Sequence, residues 1–163
     1  MKFIKLILFS VAAFFIMASA VAFFIPAHVQ VLRMVYLPLS NDTVLNRVKD
    51  LAQWKTWYPG FDRIELKNTV SANERVVKAT ANGVTLQVKQ ASDSVVIVEM
   101  QKGDRPVTAT WQINKDNRND SLALQNVMET HLKWYPWEKF SSLLLDKSYG
   151  DRMLLGLHNL KEQ

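Results

Sequence analysis

The side chains capable of acid–base or ligand chemistry are few and scattered. The three histidines, His28, His131 and His158, lie far apart in the chain. No pair of them has the His-Glu-x-x-His spacing that sets two imidazoles on one helix face around zinc. There is no phosphate-cradling glycine loop and no Gly-x-Ser-x-Gly elbow, so nucleotide binding and serine hydrolysis lack their sequence requirements. Ser141 and Ser142 have no evident base near them and are expected to open the last helix as caps or solvent contacts. Cysteine is absent, which removes disulfides, thiolate metal sites and cysteine nucleophiles while leaving the compartment open. No catalytic residue, no metal ligand and no cofactor is therefore expected. What stands out is aromatic: Trp54, Trp57, Tyr58, Phe61, Trp111, Trp134, Tyr135, Trp137 and Phe140. Such rings give large apolar area with a polar edge on Trp and Tyr, which suits a packed core, a ligand pocket or a lipid–water interface.

The elements that must position these groups belong to one folded unit. At 163 residues, 48 % apolar and 21 % charged, the chain has the size and composition of a single globular domain. Lys2 and Lys5 account for two of the net +5 charges, leaving +3 for the rest. The remaining basic residues stand singly, as at Arg63, Lys67, Arg75, Lys78 and Lys89, without the aromatic interleaving of a nucleic-acid groove. No nucleic-acid partner is expected.

From Leu6 to Ile25 only Ser10 and Ser19 interrupt an apolar run that, as a helix at about 1.5 Å per residue, matches a bilayer core of roughly 30 Å. Lys2 and Lys5 precede the run, and Arg33 is the one basic residue soon after it. The positive-inside rule then expects a cytoplasmic N-terminus and a domain outside the cytoplasm, periplasmic in a Gram-negative bacterium. Pro26 ends the helix. Residues 1–26 read as a transmembrane anchor, with a cleavable signal segment as the alternative because Ala18-Ser19-Ala20 is a small-x-small site. An apolar run continuing through Phe23, Phe24 and Ile25 is longer than a usual signal core, which favours the anchor.

Residues 27–163 read as the folded domain. Val29, Val31, Arg33 and Val35 alternate with Gln30, Leu32, Met34 and Tyr36, giving a first strand. Ser40 or Asn41 can cap a following helix with Val44, Leu45, Val48 and Leu51 at helical spacing. The aromatic turn from Trp54 to Phe61 is punctuated by Pro59-Gly60. From Asp62 to Trp134 short strands alternate with turn signals, which argues for an antiparallel meander. Asn82-Gly83 is its clearest hairpin, and further breaks fall at Ala91–Asp93, Lys102–Pro106 and Lys115–Asp120. One strand puts Val107, Ala109, Trp111 and Ile113 on a common face. The next puts Leu122, Leu124, Asn126, Met128, Thr130, Leu132 and Trp134 on one side, with Gln125, Glu129, His131 and Lys133 on the other. A long amphipathic helix closes the chain, with Leu145, Tyr149, Met153, Leu157 and Leu160 on one stripe. The order fits an α+β domain with its helices on one face of the sheet.

This arrangement resembles the START-like, helix-grip superfamily of polyketide cyclases and lipid-transport proteins. The resemblance covers nearly all of the chain beyond Pro26. It rests on the strand ending Leu37-Pro38, the segment Trp54-Lys55-Thr56-Trp57-Tyr58-Pro59, the meander, and His131-Leu132-Lys133-Trp134-Tyr135-Pro136-Trp137-Glu138-Lys139-Phe140 followed by Asp146-Lys147 and Tyr149-Gly150, which looks like membrane-anchored members. It implies a curved antiparallel sheet of about seven strands gripping the C-terminal helix, with an apolar cavity between them. Laid on that cavity, Trp111, Met128, Leu132 and Trp134 oppose Leu145, Tyr149 and Met153, while Asn126 and Thr130 are the polar groups able to orient a ligand. Trp54, Trp57, Tyr58, Phe61, Tyr135 and Trp137 are expected at the cavity mouth or membrane rim. The function implied is membrane-tethered binding of an apolar small molecule or lipid. An envelope protein-interaction module with a collapsed cavity and a polyketide-cyclase-like enzyme stand as alternatives, and no protein partner can be named.

Overall fold

The computed structural model describes residues 2–38, 44–116 and 121–162. Stretches rich in β-branched residues and alternating in burial become seven strands: β1 (His28–Pro38), β2 (Leu66–Ala72), β3 (Arg75–Ala81), β4 (Val84–Ala91), β5 (Val95–Lys102), β6 (Arg105–Asp116) and β7 (Ser121–His131). All neighbours are antiparallel in the order β1-β7-β6-β5-β4-β3-β2, so a meander from β2 to β7 is closed by β1 pairing back onto β7. An N-terminal helix α1 (Lys2–Phe23) precedes the sheet. The short helices α2 (Leu45–Lys49) and α3 (Trp54–Trp57) sit between β1 and β2, and α4 (Pro136–Ser142) and α5 (Leu145–Glu162) follow β7. The curved sheet with a long helix laid along its inner face is the helix-grip arrangement.

Local chemistry explains the boundaries. Asn82 and Gly83 take φ of 49° and 77° and join Ala81 to its partner Val84, the two-residue hairpin their types favour. A second tight turn at Asn73-Glu74 has φ of 50° and 64° and joins Ala72 to Arg75. Glutamate is no turn signal, so β2 and β3 do not separate in the sequence. The capping roles expected of Ser40 and Asn41 lie outside the described residues. Asp50 instead caps the 3-10 turn Leu51–Gln53 by accepting from Ala52 N at 3.1 Å, and the same oxygen accepts from Val76 N at 3.1 Å, fastening this turn to β3.

The inner face of the sheet and the stripe of α5 share one core. Val31, Val35, Leu124, Ala109, Val96 and Val98 meet Met153, Leu157 and Leu160 there. Gly156 lets α5 approach the aromatic turn, since a Cβ at this position would stand 3.3 Å from Pro59 Cδ, and Asn159 Nδ2 donates to Trp57 O at 2.8 Å beside it. Tyr58 packs in the same cluster, and burial pushes its phenol from 10.0 up to about 12, with Arg152 opposing and Tyr149 adding to the shift. The folded state thus prefers the protonated phenol. Its contribution is complete below pH 10 and is lost as pH rises through about 12, on the order of 2 kcal/mol once partial exposure is allowed for. Alkaline denaturation followed by circular dichroism should show this loss, and Tyr58→Phe should flatten the profile in that window; an unchanged profile would refute the assignment.

Candidate ligand cavity

Two inner-face rows form the floor of a cavity of about 460 Å³ at the end of the sheet nearest α1. Val29, Thr130 and Val107 lie side by side across β1, β7 and β6, and Val31 and Met128 form the next row. Leu132 continues the β7 face, while Ser141 of α4 and Leu145 and Tyr149 of α5 supply the opposite wall. These apolar side chains share the lining with Lys102, Arg105, Glu129, His131 and Glu138, so the cavity pairs an apolar floor with a charged rim.

The polar part of the wall is built around Glu138. Its side chain is 6 % exposed, and it accepts from Arg105 Nη2 at 2.6 Å and from Lys133 N at 2.8 Å. A carboxylate so withdrawn from water needs both donors. Arg105 thereby holds α4 against the β5–β6 turn, and Lys133 N holds it against the residues just after β7. Lys133 Nζ pairs with Asp104 on that turn. Their hydrogen bond, with the attraction of opposite charges, keeps Asp104 below the usual carboxylate range and Lys133 above its ordinary value. Deeper along β7, Asn126 is buried and directly opposite Trp111 of β6; Asn126 Oδ1 and Trp111 Nε1 have no hydrogen-bond partner. Buried polar atoms usually find one, and these two lie in the packed interior beyond the cavity lining.

Of the residues expected at the cavity, Met128, Thr130, Leu132, Leu145 and Tyr149 come together along its lining. Met153, Trp111 and Asn126 lie further in, each at most 1 % exposed, as interior rather than lining. Trp134 departs from expectation: it is 71 % exposed and away from the lining. The reason is that β7 ends at His131. Leu132 N bonds to Ala27 O at 2.7 Å, and Lys133 N turns to Glu138, so the two-residue period stops before Trp134. Trp54 and Trp57 are likewise not at the mouth. Both are buried, and Trp54 stacks on Tyr58 at 5.0 Å, meets Trp111 edge-on at 5.2 Å and donates to Val48 O at 3.0 Å. Tyr58 and Phe61 pack partly buried against that cluster. Tyr135 and Trp137, stacked at 4.9 Å, stand outside the cavity near Trp134. Ser141 and Ser142 close α4 instead of opening the last helix, bonding back to Glu138 O and Lys139 O at 2.8 and 2.6 Å.

Val29, Val31 and Val107 line the cavity without having been singled out, although strand alternation put them on the inward face. The Arg105–Glu138 pair had no local signal at all, because its members come from a strand start and a helix that meet only in the fold.

No family model matches the sequence, and no curated protein matches it. Solved structures do. The di-domain ARO/CYC protein StfQ from the steffimycin biosynthetic pathway superposes with a TM-score of 0.62 at 9 % identity, over 83 % of this chain and 50 % of that one. The chain thus spans about half the length of that di-domain protein. A protein from Thermobifida fusca gives 0.61 at 13 % identity, over 82 % of this chain and 91 % of that one. A START superfamily protein from Mycobacterium smegmatis gives 0.57 at 18 % identity, over 82 % and 97 %. With seven antiparallel strands in this order around α5, the chain has the helix-grip fold of the START-like superfamily.

Proposed function

We propose that this protein is a membrane-tethered binder that holds an apolar small molecule or the acyl part of a lipid between its sheet and α5, with residues 1–26 as anchor and residues 27–163 as binding domain. The observation that carries this reading is the cavity whose floor is the aliphatic row Val29, Val31, Val107 and Met128, beginning just beyond the end of α1. Supporting it is α1 itself, apolar over Phe3–Phe23 with mean hydropathy 2.5 and almost wholly exposed. A helix apolar on every side and unburied in its own protein suits a lipid surrounding. The positive-inside rule applied to Lys2 and Lys5 favours a cytoplasmic N-terminus with the domain on the other side. The neighbours of this fold include a di-domain ARO/CYC protein of the steffimycin biosynthetic pathway and a START superfamily protein from Mycobacterium smegmatis, which supports a ligand-holding role for the space between sheet and α5.

Native mass spectrometry of the full chain released from nanodiscs tests the reading. A discrete added mass that survives removal of the bulk lipid, and that extracts into organic solvent, is the expected result. A chain that carries no added mass after exposure to its membrane's lipids and small molecules would contradict it.

A further inference from the structure

The segment from Trp134 to Leu144 is folded inside out for a protein in water. Its inward side is polar: Glu138, Lys139 and Ser142 are buried, at 5 %, 7 % and 8 % exposure. Its outward side is apolar, with Trp134, Trp137, Phe140, Leu143 and Leu144 between 38 % and 71 % exposed. A surface helix normally shows the reverse.

What lies beside this face identifies its occupant. α4 packs against α1, where Ala22 is the buried residue and Ala18 and Ser19 are half-buried. Lys139 Nζ donates to Ile25 O at 2.7 Å, so a cation from α4 satisfies a carbonyl at the C-terminal end of α1. Ala18 and Ala22 lie within the apolar run of α1. A helix held at their level therefore lies at the depth where that run leaves the bilayer. Trp and Tyr favour this interface, and amphipathic segments settle about 5–10 Å into the headgroup and acyl boundary.

We propose that Trp137, Phe140, Leu143 and Leu144 are immersed in the outer leaflet of the bilayer that α1 spans, making α4 a membrane-seated wedge. Because Glu138 and Ser141 on the other side of this segment line the cavity, the wedge sets the cavity mouth at the lipid surface, and a guest enters from the bilayer without crossing water. The inference rests on α1 being a retained anchor.

The lack of cysteine makes a single introduced thiol unique. Full chains carrying Leu144→Cys or Trp137→Cys, labelled with an environment-sensitive fluorophore, are reconstituted into phosphatidylcholine and phosphatidylglycerol liposomes. Ser71→Cys, exposed on β2 at the far edge of the sheet, is the control. Flotation reports anchoring, and far-UV circular dichroism reports folding. The expected result is blue-shifted emission at positions 144 and 137, quenched more by nitroxides near the glycerol backbone than by aqueous iodide, with the reverse at position 71. If the chain floats but both probes stay aqueous, or are shielded from lipid nitroxides and iodide alike as under a protein partner or second copy, the wedge is refuted while the anchor stands. If the chain does not float, anchor and wedge fall together, and cavity binding can still be read from the mass measurement.

Discussion

Replacing Trp54 by alanine is expected to remove about 4 kcal/mol of stability, within the usual range for deleting a buried large aromatic. Trp54 has no solvent exposure and lies within 5.6 Å, ring centre to ring centre, of Trp57, Tyr58, Phe61 and Trp111. It ties the short helices before β2 to the middle of β6, so its loss opens a hole that the rigid sheet cannot collapse to fill. Thermal unfolding of the full chain in detergent micelles should fall by on the order of 10 °C. Trp54→Phe separates packing from hydrogen bonding, since it keeps a ring but abandons the bond to Val48 O. It should cost about 1–2 kcal/mol. Equal losses for the two variants would show that the hydrogen bond, not the ring cluster, holds this part of the core.

Val107→Trp is expected to lower affinity for an apolar fluorescent probe at least tenfold, about 1.4 kcal/mol, while leaving the fold in place. Val107 lies half-buried on β6 opposite Thr130 and faces the cavity. An indole there occupies space that a guest would use. Because it grows into open volume rather than into packed neighbours, the overpacking cost of about 1–3 kcal/mol should be largely avoided. Probe titration in nanodiscs, with circular dichroism as the folding check, decides the matter. Undiminished binding by a folded variant would place the guest elsewhere.

How far the sequence reaches is clearest along β7 and just after it. Period-two alternation correctly faces Leu124, Asn126 and Met128 inward, because a paired strand has no other way to arrange its side chains. The same period carried three residues too far misplaces Trp134, since what ends the strand is Lys133 N turning to Glu138, a partner the alternation does not reveal. The Asn82-Gly83 hairpin is legible from residue type, whereas Asn73-Glu74 adopts the same backbone signs with a glutamate. Aromatic content marks two clusters but not their fates. Trp54 and Trp57 become core because α3 folds under the sheet beside Gly156, and Trp134 and Trp137 stay outside because Glu138 and Lys139 take the inward positions of α4. The cavity position follows from the fold, but its charged wall depends on Arg105 reaching Glu138 across the domain.

Photolabelling tests the central claim most directly. The full chain in bilayers is exposed to a lipid carrying a photoreactive group in its acyl chain, and the modified residues are mapped by peptide mass spectrometry. Adducts on Val107, Met128 or Leu145 in addition to α1, lost from those positions in Val107→Trp, are expected. Adducts confined to α1 and the outer side of α4, with none on the inward face of β6 and β7, would contradict the claim that this domain takes an apolar guest into its interior.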